Sequence, residues 1–309
     1  MKKIKAAFRM LAVGVKSAVY ALRLRFANEE KSRVLMKKWM KSLTKTLGAK
    51  VNVIGTPAGG QGKPVMYIPN HVSYADALVM MSVIEARITA AADIANWPLI
   101  GRIAKRQKVT FIEQPKGRKM SNEDKEALVK RTCDNLRNSL DNGMDVILFP
   151  EGDMSEGVEV KRFSPGTFRL YFNELGKPHN EVIPQPVVIE VASVGGEAVE
   201  PGVSSPLREI YAQYCMRTEP VEVKSKKTGK TKTVKKRIMN KDILPHVWSL
   251  AKQAENGGLE VNLRFLDPLK SEDFEDFKAM AEGTRTMIEA NLQRNKAAVQ
   301  TPAKKVATV

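Results

Sequence analysis

Seven short apolar runs, most of them separated by helical patterns, restrict this chain more than any other feature. They are Lys50–Ile54, Val65–Pro69, Ile88–Asp93, Val109–Glu113, Asp145–Pro150, Val182–Val191 and Leu259–Leu266. The runs are rich in β-branched residues, often bounded by Gly or Pro, and read as strands. Helical periodicity fills Ala75–Ala86, Pro98–Arg106, Asn122–Asp141, Pro165–Leu175 and Phe274–Asn295. Ser121, three residues before Asp124, marks the start of the third of these helices. Alternation of this kind predicts an α/β fold, a layered mixed sheet flanked by helices. The 309 residues suffice for one large domain with appendages.

Charge is segregated along the chain. The formal net charge is +17, yet residues 1–50 hold 14 Lys/Arg against 2 Asp/Glu, and residues 224–241 hold 9 Lys/Arg and no acid. What remains is close to neutral. Two basic segments attached to a neutral body predict contact with an anionic surface: phospholipid, nucleic acid or an acidic protein. Residues 1–48 form the first segment, 49–295 the body with a basic loop or hairpin inserted at about 222–241, and 296–309 a flexible tail.

The N-terminal segment is amphipathic. In residues 4–26, Arg9, Lys16 and Arg23 recur at a spacing of seven and line one helical face, while Leu11, Val15, Val19 and Leu22 fall on another. These charges interrupt what would otherwise be a membrane span, and no small-residue cleavage site marks a signal peptide. Further on, Met36, Trp39, Met40, Leu43 and Leu47 make an apolar stripe among Lys37, Lys38, Lys41 and Lys45. Basic amphipathic helices with a Trp suit the boundary between headgroups and acyl chains, although helices packed on the body would show the same periodicity. The second basic segment has no aromatic residue between Lys224 and Met239. Stacking on nucleic acid bases needs such residues, so nucleic acid is disfavoured and a membrane, an acidic carrier protein or a merely solvated hairpin remain.

Chemistry concentrates where strands give way to turns. PNHVSYADA, Pro69–Ala77, follows an apolar strand and precedes a helix. His71 there can take a proton from a hydroxyl near neutral pH, and it needs a carboxylate to fix its tautomer. Asp76 is five residues on, about 140° away on a continuous helix, so the two meet only if the turn bends between them. Ser73 is the candidate helix cap. FPEG, Phe149–Gly152, also follows a strand; Gly152 permits close backbone approach to a ligand and Glu151 can bond an acceptor's hydroxyls. His71, His179 and His246 are the only histidines, and Cys133 and Cys215 have no metal-ligand spacing, so no zinc site is expected. Two cysteines do not make a disulfide framework, which favours a reducing compartment.

Four motifs in this order, at His71, Phe111, Phe149 and Ile183, resemble the glycerolipid acyltransferase family, which includes the lysophosphatidic acid acyltransferases. The similarity covers about Val53–Val191. It implies that His71 is the catalytic base and Asp76 its partner, with Glu151 and Gly152 in the acceptor-binding turn. It implies direct attack of a lysolipid hydroxyl, such as that of lysophosphatidate, on the thioester of acyl-CoA or acyl-carrier protein, with no acyl-enzyme and no cofactor. No serine or cysteine here has a nucleophile-elbow setting. Together with the basic amphipathic N-terminus, this resemblance predicts a peripheral or monotopic enzyme at the cytoplasmic face of a membrane, with an anionic surface, the lysolipid and the acyl donor as partners.

The chain departs from the family pattern twice. Gln114 stands where the second motif usually ends in Arg, and Asp153, Met154 and Ser155 follow the third motif in place of Thr-Arg-Ser. Bidentate Arg is the natural phosphate ligand. Arg118 and Lys161 are candidate substitutes beside Gln114, as are Lys108, Lys116 and Arg162. The run from Phe149 to Phe163 looks like the variant in lyso-ornithine lipid acyltransferases, which points to a less anionic acceptor.

Overall fold

In the strand β2 (Val65–Pro69) all five residues are buried, because helices cover both faces of the sheet that it centres. The computed structural model describes residues 2–300 apart from 61, 98–99, 114–119, 156–158, 174, 179, 200–215, 225–230, 240–242 and 255–256. The other strands of the main sheet are β1 (Ala49–Ile54), β3 (Arg87–Ala91), β4 (Thr110–Ile112), β5 (Val146–Ile147), β6 (Ile183–Val194), β7 (Glu197–Ala198) and β10 (Leu259–Phe265). Their order is β1-β10-β6-β2-β5-β3-β4, with β7 paired to β6. The β6-β2-β5-β3-β4 part is parallel and β10 runs antiparallel to β6, so the sheet is mixed, as the alternation of runs predicted.

Side chains alternate between two cores, as strand geometry requires. Val65 and Tyr67 of β2 face one core with Ile147, Val187 and Ile189; Met66 and Ile68 face the other with Val146, Leu148 and Val188. The first core is closed by α1 (Lys2–Phe26), α2 (Glu29–Thr46), α3 (Ala75–Val83), α4 (Ile100–Arg106) and α6 (Ile243–Gln253). The second is closed by α5 (Asn122–Asp141), α7 (Phe277–Gln300) and a 3-10 helix at Pro165–Tyr171. α5 begins where expected because the Ser121 hydroxyl accepts from the Asp124 amide at 3.0 Å.

Several expectations need correction. The 145–150 run yields only two strand residues, because after Leu148, whose amide still donates to the Tyr67 carbonyl, the chain leaves the sheet to build the Phe149–Gly152 turn. Pro165–Leu175 is a 3-10 helix ending at Tyr171, since Phe172 turns extended and bridges to Pro178. The basic loop is a two-stranded antiparallel hairpin, β8 (Met216–Lys224) with β9 (Thr231–Met239), whose arms reach further back than the charge run. α7 continues to Gln300, past the point where the tail was expected to begin; residues 301–309 lie outside the described residues.

The largest correction concerns the two N-terminal helices. The α2 stripe is not a free surface: Trp39, Met40, Leu43 and Leu47 are buried in the first core. The free surface belongs to α1. Phe8, Leu11, Val15, Val19, Leu22 and Phe26 are between 44% and 80% exposed, and at 3.6 residues per turn they share an arc of about 80°. The opposite face, with Ala6 and Leu24 buried, packs on the body. Arg9 and Lys16 donate to the carbonyl and hydroxyl of Thr46 at the end of α2, where the helix dipole favours cations. No described helix is long and apolar enough to cross a membrane. Trp39→Ala is expected to cost about 3–5 kcal/mol of unfolding free energy, and Leu11→Gln less than about 0.5 kcal/mol. Urea unfolding followed by circular dichroism measures both, and equal losses would place the α1 stripe in the core.

Candidate active site

β2 ends at Pro69, and the next residue replaces the ladder that the sheet loses there. The buried Asn70 side chain accepts from the Ile189 amide at 2.7 Å and donates to the Ile189 carbonyl at 3.0 Å. Its amide thus imitates one more rung between β2 and β6, and the turn that follows starts from a fixed point.

That turn closes on Asp76, which lies in the first turn of α3 and is 2% exposed. Its Oδ2 accepts from His71 Nδ1 at 2.8 Å, from the Val72 amide at 2.6 Å and from the Ser73 amide at 2.7 Å. Its Oδ1 accepts from the Ser73 hydroxyl at 2.9 Å. The bend that the five-residue offset demanded is therefore made by residues 71–74. Ser73 does not occupy the N-cap position, which is Tyr74. Instead its hydroxyl accepts from the Ala75 amide at 3.1 Å while Asp76 reaches back to its N–H, a reciprocal arrangement like a capping box.

A carboxylate only accepts, so Nδ1 of His71 carries the proton and Nε2 presents a lone pair. The His71 side chain is 19% exposed, and the Phe149 ring lies against it, with centroids 4.4 Å apart. An imidazole with one nitrogen fixed and the other open can take a proton from a bound hydroxyl.

The Phe149–Gly152 turn braces the same residue. The Gly152 amide donates to the Phe149 carbonyl at 3.3 Å, with Gly152 at φ +68°, where glycine is favoured. Glu151 Oε1 accepts from the His71 amide at 2.6 Å and Oε2 from the Lys161 amide at 2.9 Å. The Ser155 amide donates to the His71 carbonyl at 2.7 Å. Both main-chain groups of His71 are thus held by this segment. Burial pushes the Glu151 carboxyl up to about 7, although the two backbone N–H groups and the Lys161 ammonium oppose it.

The structure thus brings His71, Asp76, Glu151 and Gly152 together. Each Glu151 oxygen accepts one backbone N–H, so this carboxylate braces the main chain of His71 and Lys161. Lys161 is exposed, and its ammonium donates to the Met154 carbonyl. Gln114 and Arg118 lie outside the described residues. Asn70 and Phe149 are functional neighbours of the imidazole that sequence reasoning left without a role. The only available signal was their adjacency to the His71 and Glu151 motifs.

Comparison with known proteins bears on this arrangement. A family model described as Acyltransferase matches residues 31–190, just over half of the chain. The lyso-ornithine lipid O-acyltransferase of Rhizobium meliloti (strain 1021) is 27% identical over 165 residues, covering 53% of this chain and 53% of that protein. The enzyme of the same name from Brucella abortus (strain 2308) is 25% identical over 240 residues, 75% of this chain and 73% of its own. The 1-acyl-sn-glycerol-3-phosphate acyltransferase of Neisseria gonorrhoeae is 28% identical over 116 residues, 38% of this chain and 42% of its own. The chain thus spans about half the length of the first of these curated relatives, and less of the third. The crystal structure of the 1-acyl-sn-glycerophosphate (LPA) acyltransferase PlsC from Thermotoga maritima superposes with a TM-score of 0.54 at 14% identity, covering 96% of this chain and 98% of that one. At that identity the likeness is one of fold. With its family match reaching across the His71, Asp76 and Glu151 turns, this chain belongs to the acyltransferase family.

Proposed function

We propose that this protein is a membrane-surface O-acyltransferase that moves a fatty acyl group from an acyl-CoA or acyl-carrier-protein thioester to the hydroxyl of a lysolipid. The observation that carries this reading is the 2.8 Å contact of His71 Nδ1 with Asp76, which leaves Nε2 toward the site. As the acceptor oxygen attacks the thioester carbonyl, Nε2 takes its proton and Asp76 stabilises the imidazolium that forms. The tetrahedral intermediate then expels the thiolate, which takes the proton back from His71. The products are the acylated lipid and a free thiol, with no acyl-enzyme and no cofactor.

Within the lysolipids, an acceptor less anionic than a phosphate monoester fits this chain best. Gln114 and Asp153–Ser155 replace the arginines that a phosphate would need, and relatives from Rhizobium meliloti and Brucella abortus carry the name lyso-ornithine lipid O-acyltransferase. Lysophosphatidate is the second reading, favoured by the name of the Neisseria gonorrhoeae relative. The exposed α1 stripe supports peripheral attachment to the cytoplasmic leaflet, the side on which such thioesters are made: it matches an in-plane amphipathic helix with basic flanks.

Acyl transfer from labelled donors to lyso-ornithine lipid and lysophosphatidate tests the reaction and ranks the acceptors. His71→Ala is expected to lower kcat roughly 10³-fold and Asp76→Asn by a comparable factor; activity that survives His71→Ala would remove the mechanism. Replacing Leu11, Val15 and Leu22 together by Gln is expected to abolish vesicle flotation while leaving the melting temperature within a few degrees. Retained flotation would move the membrane contact elsewhere.

Glu151 supplies a pH test. Its folded carboxyl titrates near 7, above the usual carboxylate value of about 4.3. Between these values the folded state binds the extra proton, so its contribution to stability falls as pH rises through that window. Relative to Glu151→Gln, the wild type is expected to lose melting temperature from about pH 5 to pH 8. A difference that stays flat over this range would show that the carboxyl titrates normally.

A further inference from the structure

The strongest feature outside the His71 site is a cavity at the elbow between α1 and α2, on the opposite edge of the sheet. Its volume is about 250 Å³, and Ala27, Arg33, Lys37, Arg87, Arg106 and Lys108 are among its lining residues. Arg87 pairs level with Val146 and Met66 across the sheet. Pro69, where the strand ends, lies three residues beyond Met66, about 10 Å along the strand direction, and the His71 turn follows it. The cavity is therefore no part of the acyl-transfer site.

Its charges are unequally compensated. Glu29 and Glu85 are the acids among the lining residues, against five cations. Glu29 bonds both Arg87 and Lys108, and Arg106 donates to the last carbonyls of α1, those of Leu24 and Arg25. Lys37 pairs with Glu85 at 3.8 Å, a long contact. The half-buried Arg33 makes its one described hydrogen bond to the Met144 thioether at 3.2 Å, a weak acceptor for a guanidinium. The Glu29 and Asp145 carboxylates act on it through charge alone, with no described hydrogen bond to it, so its N–H groups are placed to meet an oxyanion.

The place of the cavity says which oxyanion. Phe26, 80% exposed, ends the α1 stripe, and Ala27, the next residue, lines the cavity. If the stripe lies in a lipid surface, the elbow opens at headgroup depth. Arg23, Arg25 and Lys31, close to Ala27 in sequence, are exposed. We infer that the elbow cavity binds the phosphate-bearing headgroup of an anionic membrane lipid, with Arg33 and Lys37 as its ligands. This inference rests on the membrane-surface reading of α1. It adds a lipid site distinct from that of the acceptor, one that selects anionic bilayers and fixes the end of α1 remote from its first residues.

The test uses the full chain and two vesicle types, phosphatidylcholine alone and phosphatidylcholine with phosphatidylglycerol, read by flotation. Wild type is expected to prefer the anionic vesicles, and Arg33→Gln with Lys37→Gln to weaken that binding roughly 30-fold, about 5-fold for each cation near an anionic surface. Lys38→Gln with Lys41→Gln removes the same charge from exposed positions that do not line the cavity, and is expected to cost less than about 5-fold. Equal losses in the two double variants would overturn the site in favour of diffuse attraction. A thermal shift with inorganic phosphate in the low-millimolar range, lost in the Arg33 and Lys37 variant, together with equal vesicle binding by that variant and the wild type, would overturn the lipid assignment in favour of a free-anion site. Failure of the wild type to float with either vesicle would sink the membrane reading as well. Wild-type flotation that persists undiminished in the Arg33→Gln, Lys37→Gln variant would sink this inference alone.

Discussion

The carboxylate of Asp76 organises the His71 turn, and the remainder of the candidate site is arranged around it. Four donors from three consecutive residues, His71 to Ser73, converge on one buried group. Two of the three backbone N–H groups in that stretch would be orphaned without it, as the first amides of a helix are. Satisfying them forces the chain to curl, and the curl brings the imidazole over the carboxylate. The same group therefore caps the turn, orients the ring and faces the charge that the ring acquires. Removing it is expected to disturb geometry and electrostatics together, which is why the conservative Asn variant is more informative than Ala.

A turn held from one side only would still pivot about its ends. Asn70 fixes the entrance through both of its amide atoms, and the segment after β5 fixes the main chain of His71 through Glu151 and Ser155. The site is thus a junction of three strands, β2, β5 and β6, whose ends are laced by side chains where ladder hydrogen bonds stop. Parallel strands end on the same side of a sheet, which makes this edge a natural place for such a junction. Glu151 contributes at a cost, since burial works against its charge, and it is held in place by N–H groups that favour that charge.

How much of this was legible in the sequence depends on which physical signal each residue leaves. The strand at Val65–Pro69 and the helix at Asn122–Asp141 were readable to the residue, the first from an unbroken apolar run and the second from a capping serine. His71 and Asp76 were readable as a pair through the company of the Phe149–Gly152 motif, because their five-residue offset alone would keep them apart on a continuous helix. Asn70 and Phe149 leave no periodic trace: a buried amide and a ring against an imidazole are visible only when β6 and the turn after β5 are already in place. The short β5 was misread because apolar residues that leave a sheet to line a site look like residues that stay in it.

The N-terminal helices show a sharper limit. An apolar stripe at helical spacing says that one face avoids water, and it does not say whether protein or lipid covers that face. α2 and α1 carry similar stripes, yet Trp39 and Leu43 meet the core while Leu11 and Leu22 meet nothing described. What separates them is the second face. α1 is apolar on two sides: Ala6, Met10, Val13 and Leu24 face the body, leaving a further arc for Phe8 to Phe26. A helix that needs one apolar face to pack and carries another has a stripe the fold does not use. A stripe of that kind in water is unfavourable unless something else covers it. Its basic flanks, and the elbow whose cations outnumber its acids, favour a negatively charged lipid surface as the cover.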